Sequence, residues 1–203
     1  MSNFYKNKLI DFILNNDKLD NLTKILNIFN PFKILKLEKY EIRHSNIIAW
    51  LLNPNENHRL KDTFLKSFIE QILLSSQNEQ LNLYEFNLLD IHFGDFKDAI
   101  VKREYNHIDI FIKSNNNNLI IIIENKITSK ERKNQLKRYL DFINTNYKNY
   151  KILPVFLTVS GDDPTSDNYA VLSYNSIYDI ISKILDNNKN ELNTEIVTFI
   201  NYY

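Results

Sequence analysis

Two runs decide the fold: His107-Ile108-Asp109-Ile110-Phe111-Ile112 and Leu119-Ile120-Ile121-Ile122-Ile123-Glu124-Asn125-Lys126. Both are short and dense in β-branched or aromatic residues, and the polar stretch 114–118 between them is a turn, so they read as two strands of a hairpin. Side chains alternate across a strand, which sends Glu124 and Lys126 to the same face. If the strands pair around the turn, Asp109 lies across from them. A carboxylate inside an apolar strand is costly to desolvate unless it is paired or binds a metal. Asp109 and Glu124, with the backbone carbonyl of Asn125, offer the hard oxygen ligands that magnesium, or manganese in its place, prefers. Lys126 beside them suits orienting a water and offsetting transition-state charge.

Outward from this hairpin, apolar residues recur at intervals of three and four over 4–30, 41–52 and 62–74, predicting a largely helical first third, with Pro54 closing the second helix. Strands are predicted at 99–104, 107–113 and 119–124. A helix follows over 129–144, with Ser129 as its N-cap. Next come a buried strand at 151–159, a polar loop at 161–167 and closing helices at 175–185 and 191–200. A hairpin joined through a crossover helix to a further strand predicts an α/β fold: a mixed central sheet covered on both faces, with a helical N-terminal extension. Nothing rich in Pro, Gly or Ser divides the chain, which predicts one domain over 1–203. Its parts are a mostly helical 1–80, the sheet and crossover helix at 85–160, and the closing helices at 170–203.

Composition removes competing chemistries. The 203 residues contain no cysteine, excluding thiol nucleophiles, disulfides and Cys-containing zinc sites. The two glycines, Gly94 and Gly161, are too far apart for a phosphate-wrapping loop. Lys plus Arg equals Asp plus Glu at 25 each, so a polyanionic partner must be held by a local basic surface. No segment approaches the ~20 apolar residues of a membrane span, and residues 1–16 lack a secretory cleavage pattern. The expected location is cytoplasmic, with no membrane partner.

The pattern Glu104…Ile108-Asp109-Ile110, then Ile122-Ile123-Glu124-Asn125-Lys126-Ile127, then Gln135-Leu136-Lys137-Arg138-Tyr139 resembles the PD-(D/E)xK nuclease superfamily. Ile108 stands where the eponymous motif has proline. Upstream, Glu41-Ile42-Arg43-His44-Ser45-Asn46-Ile47-Ile48-Ala49-Trp50-Leu51-Leu52-Asn53-Pro54, with His58 after it, is similar to the N-terminal helix of a bacterial subfamily. The resemblance covers about 41–159. It implies a restriction-endonuclease-like core and magnesium-dependent phosphodiester hydrolysis, with Asp109, Glu124 and Lys126 catalytic and Glu41 a candidate further metal ligand. The Gln135 and Tyr139 pair is similar to that of RecB-like members. Four residues apart on a helix, both side chains face the same way, toward the catalytic lysine or the substrate.

Lys130, Arg132, Lys133 and Arg138, with Lys137, make the most basic local segment and are the candidate nucleic-acid contacts. His107, two before Asp109, is expected on the same strand face. His44 and His58 lack ligand spacing and read as structural. The expected substrate is nucleic acid, DNA ahead of RNA. Defence or mobile-element roles, partner proteins supplying recognition or activation, and a homodimer enter by family analogy. RNA cleavage and a scaffold that binds nucleic acid or a partner protein without cutting stay open as alternatives.

Overall fold

A computed structural model describes residues 3–14, 16–26, 29–79, 81, 86–188 and 192–203. The chain forms two compact units, 1–36 and 37–203. The first consists of helices α1 (Asn3–Leu14), α2 (Asp17–Leu26) and the single turn α3 (Pro31–Ile34). Asn30 starts α3 by accepting the Phe32 and Lys33 amides, and Pro31 opens it, where a missing N–H costs nothing.

The second unit holds helices α4 (Glu41–Leu52), α5 (Thr63–Leu74) and α6 (Leu88–Phe93), then strands β1 (Ile100–Tyr105), β2 (Ile108–Ser114) and β3 (Leu119–Lys126). Helix α7 (Gln135–Asn146) leads to β4 (Lys151–Thr158) and β5 (Ala170–Ser173), and α8 (Tyr174–Asn187) and α9 (Thr194–Tyr202) close the unit. Among the described residues the sheet has five strands in the order β1-β2-β3-β4-β5. The first two pairings are antiparallel and the last two parallel. This is the α/β, mixed-sheet architecture expected from the hairpin and crossover, and it fits a restriction-endonuclease-like core.

The sheet divides two cores. Ile110, Ile112, Ile121, Ile123, Val155 and Leu157 face α4, α5 and α8, where Ile48, Leu52, Phe64, Phe68 and Ile180 meet them. Phe111, Ile120, Ile122 and Phe156 face the other way, against Leu136, Tyr139 and Ile143 of α7. Burial on both faces explains why β3 reads as an unbroken isoleucine run rather than an alternating one.

Three expectations need correction. The helix predicted over 129–144 begins at Gln135, because the Ser129 amide and hydroxyl donate to the Glu41 carboxylate instead of capping a helix. His107 is not on a strand: it sits exposed at a two-residue turn with Asn106, at φ of 68° and 50°. Strand β5 and helix α6 lie where neither was expected, each too short to show a period. The helix predicted at 191–200 starts outside the described residues and its described part is α9. Among the described residues, no helix is long and apolar enough to cross a membrane.

Candidate active site

Asp109 stands where the β1–β2 ladder skips a step. Arg103 pairs with Ile110 and Tyr105 with Ile108, leaving Glu104, at φ +54°, opposite Asp109. The strand turns over there: Ile108 packs in the α7-side core, but Ile110 packs in the opposite one. Arg103 Nε holds the Asp109 carbonyl at 2.6 Å, and the Asn125 amide donates to Asp109 Oδ2 at 2.8 Å. The Asp109 carboxylate is thereby tied to the middle residue of Glu124-Asn125-Lys126. Burial pushes its pKa up, against the pull of the Asn125 amide and Lys126.

Glu124 continues the Ile120, Ile122 face of β3, toward α7. Its Oε1 receives Lys126 Nζ at 2.6 Å and Gln135 Nε2 at 2.6 Å. Strand alternation does bring Glu124 and Lys126 together. Gln135 Nε2 also donates to the Tyr139 hydroxyl at 2.9 Å, and Gln135 Oε1 accepts the Arg132 amide at 3.1 Å. One side-chain amide therefore links Glu124, the helix and the loop ahead of it. Burial, then repulsion from Asp109, pushes the Glu124 carboxyl up to about 7 despite Lys126. Burial alone would lower the Lys126 ammonium, but contact with Glu124 and the nearness of Asp109 and Glu41 hold it above its ordinary value.

Glu124 Oε2 is buried and has no hydrogen-bond partner. A buried, unpaired carboxylate oxygen near a second, half-buried carboxylate fits a hard divalent cation, which would satisfy both at once. Asp109, Glu124 and the Asn125 carbonyl are the residues that would hold it. Among the described residues, no three His, Asp or Glu side chains form a ready-made cage.

Glu41 is placed differently from the ligand role that the resemblance implies. From the first turn of α4 its Oε1 accepts the amides of Ile127, Thr128 and Ser129 at 3.0, 3.0 and 2.7 Å, and its Oε2 accepts Ser129 Oγ at 2.8 Å. Although partial burial opposes it, these donors hold the Glu41 carboxyl down at about 2. Glu41 clamps the loop 127–134, whose far side is fixed by Glu131 bonding to Thr165. A depressed carboxyl stabilises the fold above its ordinary pKa of 4.5 and loses that contribution as pH falls toward 2. Glu41→Ala should therefore release the loop at neutral pH. Limited trypsin digestion should then cut after Lys130, Arg132 or Lys133 at least about tenfold faster than in the wild type; equal rates would contradict the clamp.

Asn125 points to the opposite face, where its Nδ2 donates to Ser45 Oγ at 2.9 Å and its Oδ1 accepts the Tyr174 hydroxyl at 3.0 Å. Ser45, Tyr174 and Arg103 support the site; the sequence-based expectation gave none of them a site role, and Ser45 entered it only as part of the helix motif. The signal for Ser45 is its spacing: four residues after Glu41, it shares that helix face. Tyr174 and Arg103 carried no local signal.

The basic candidates are spread rather than aligned. Lys130, Arg132 and Lys133 are exposed in loop 127–134, Lys137 and Arg138 are exposed on α7, and Arg138 lies over the Tyr139 ring at 5.5 Å. A cleft of about 420 Å³ runs beside this loop between Lys126, Lys130, Thr158 and Asp163. His44 and His58 are both engaged in hydrogen bonds within the fold. His58 is buried, accepts the Leu60 amide at Nδ1 and so donates from Nε2 to the Asn53 carbonyl as a neutral ring. His44 bonds the Tyr203 hydroxyl and the Glu38 carbonyl.

Asp109 and Glu124-Asn125-Lys126 thus stand at adjoining ends of neighbouring strands in a mixed sheet, with Gln135 of the crossover helix bonded to Glu124. The family model of the PD-(D/E)XK nuclease superfamily matches residues 29–203, and the chain belongs to that superfamily. It matches no curated protein and no solved structure.

Proposed function

We propose that the protein is a metal-dependent nuclease that hydrolyses phosphodiester bonds, in DNA ahead of RNA. The observation that carries this reading is the buried, partnerless Glu124 Oε2 with Asp109 and the Lys126 ammonium beside it. A bound magnesium ion would polarise a phosphoryl oxygen and acidify a water. Lys126 stays protonated and aims positive charge at the oxygens that become more negative in the transition state. Gln135 fixes the Glu124 rotamer, Asn125 fixes Asp109, and the loop anchored by Glu41 presents Lys130, Arg132 and Lys133 to the phosphate backbone. Defence or mobile-element membership, and recognition supplied by partner proteins or a second copy, accompany this reading by analogy alone.

The test is cleavage of plasmid DNA, of single-stranded DNA and of RNA with magnesium, manganese or EDTA. Cleavage that requires the metal and favours DNA is expected; no cleavage of either polymer overturns the reading. Metal binding has its own readout in melting temperature. At a concentration about a hundredfold above Kd, manganese should stabilise the wild type by about 2.7 kcal/mol. Asp109→Asn should remove most of that increase, and an undiminished increase in the variant would place the ion elsewhere.

A further inference from the structure

The sheet face that carries Glu124 extends beyond the site as a band of tyrosines and lysines. Phe111 pairs with Ile122 on this face, and Tyr105, Tyr147 and Tyr150 pack around it. Successive ring centroids along Tyr105, Phe111, Tyr147 and Tyr150 are 4.6, 5.7 and 6.0 Å apart, and all three tyrosines remain partly exposed. Their hydroxyls are tied down: Tyr105 to Tyr147 at 2.9 Å, and Tyr150 to Asn115 Oδ1 at 2.7 Å. Lys102 Nζ lies 5.2 Å from the Tyr105 ring, and Lys113 Nζ lies 5.0 Å from Tyr150 and 5.8 Å from Tyr147. Among the described residues, neither ammonium forms an ion pair with a carboxylate. The band starts at the active site, since Tyr105 pairs with Ile108, next to Asp109, and ends near Lys113, four residues or ~13 Å further along β2.

We propose that Tyr105, Tyr147 and Tyr150, with Lys102 and Lys113, form a track for single-stranded nucleic acid leading to Glu124. Rings held by their hydroxyls are rigid platforms for bases, and unpaired ammonium groups between them suit the phosphates of the same strand. A duplex keeps its base faces stacked internally and cannot offer both. The proposal rests on the nuclease reading and narrows its substrate to an unpaired strand.

The test is fluorescence anisotropy with the full chain in EDTA, using labelled oligo(dT), oligo(U) and a DNA duplex of equal length. Single strands should bind at least about tenfold tighter than the duplex. The double variant Lys102→Gln/Lys113→Gln keeps the apolar stems. It should weaken single-strand binding about tenfold and lower the slope of log affinity against log salt by about 1.4, two phosphates at ~0.7 each. Tyr150→Leu should weaken binding by a similar factor without altering the salt slope. Equal binding of duplex and single strand, or affinity within about twofold of wild type in both variants, overturns the track. Metal-dependent cleavage by the wild type is scored separately. Cleavage with variant-insensitive binding removes the track alone, and variant-sensitive binding without cleavage removes the nuclease reading alone.

Discussion

Lys126→Ala should lower single-turnover cleavage at saturating magnesium by about a thousandfold, the loss expected when a preorganised charge is removed from a water-poor site. The side chain is 13% exposed and its ammonium is 2.6 Å from Glu124 Oε1, so neither water nor a neighbour replaces it. Substrate binding should change far less, because the exposed Lys130, Arg132, Lys133 and Arg138 remain. The loss therefore falls on the chemical step. Residual activity within about tenfold of the wild type would assign the charge stabilisation to another residue.

Glu124→Gln should do the opposite to stability. In the folded protein this carboxyl is pushed up to about 7 from an ordinary 4.5. Between those values the folded state keeps a proton that the unfolded chain releases, so this group's contribution to stability is fully present below about 4.5 and is lost as pH rises to about 7. Above 7 the loss is complete. At ~1.36 kcal/mol per pH unit the interval corresponds to about 3 kcal/mol. Glutamine resembles the protonated form and still accepts from Gln135 and Lys126. Without metal, the variant should be more stable than wild type by up to about 3 kcal/mol at pH 8, and indistinguishable from it near pH 4.5. Thermal unfolding in EDTA across that pH range checks this. A variant less stable than wild type at pH 8 would mean that Glu124 is satisfied without a cation. The site thus holds a carboxylate that the fold alone disfavours, as expected where stability is exchanged for function.

Much of this architecture was legible because the informative residues lie in regular elements. The isoleucine run of β3 and the polar turn before it specified the hairpin, and alternation then required Glu124 and Lys126 to meet. Helix α4 was read to its observed ends, since apolar residues recur every three or four positions up to Pro54. The start of α7 was misread for a physical reason: Ser129 has N-cap chemistry, but the acceptor for its amide and hydroxyl is Glu41, 88 residues earlier in sequence. No local pattern reveals so distant a partner. Glu41 itself has a role that the resemblance does not describe, since its carboxylate accepts the amides of loop 127–134. The turnover of β2 at Asp109, bringing Ile108 and Ile110 to opposite faces, was equally hidden. Alternation assumes a regular strand, whereas here the ladder skips Glu104 and Asp109.

Manganese anomalous diffraction from crystals of the wild-type protein tests the central claim most directly. The account predicts one strong peak between the Asp109 carboxylate and Glu124 Oε2, within ~2.0–2.3 Å of both, and its loss in Glu124→Gln. A peak elsewhere, or none in crystals of protein that cleaves nucleic acid with manganese, would contradict it.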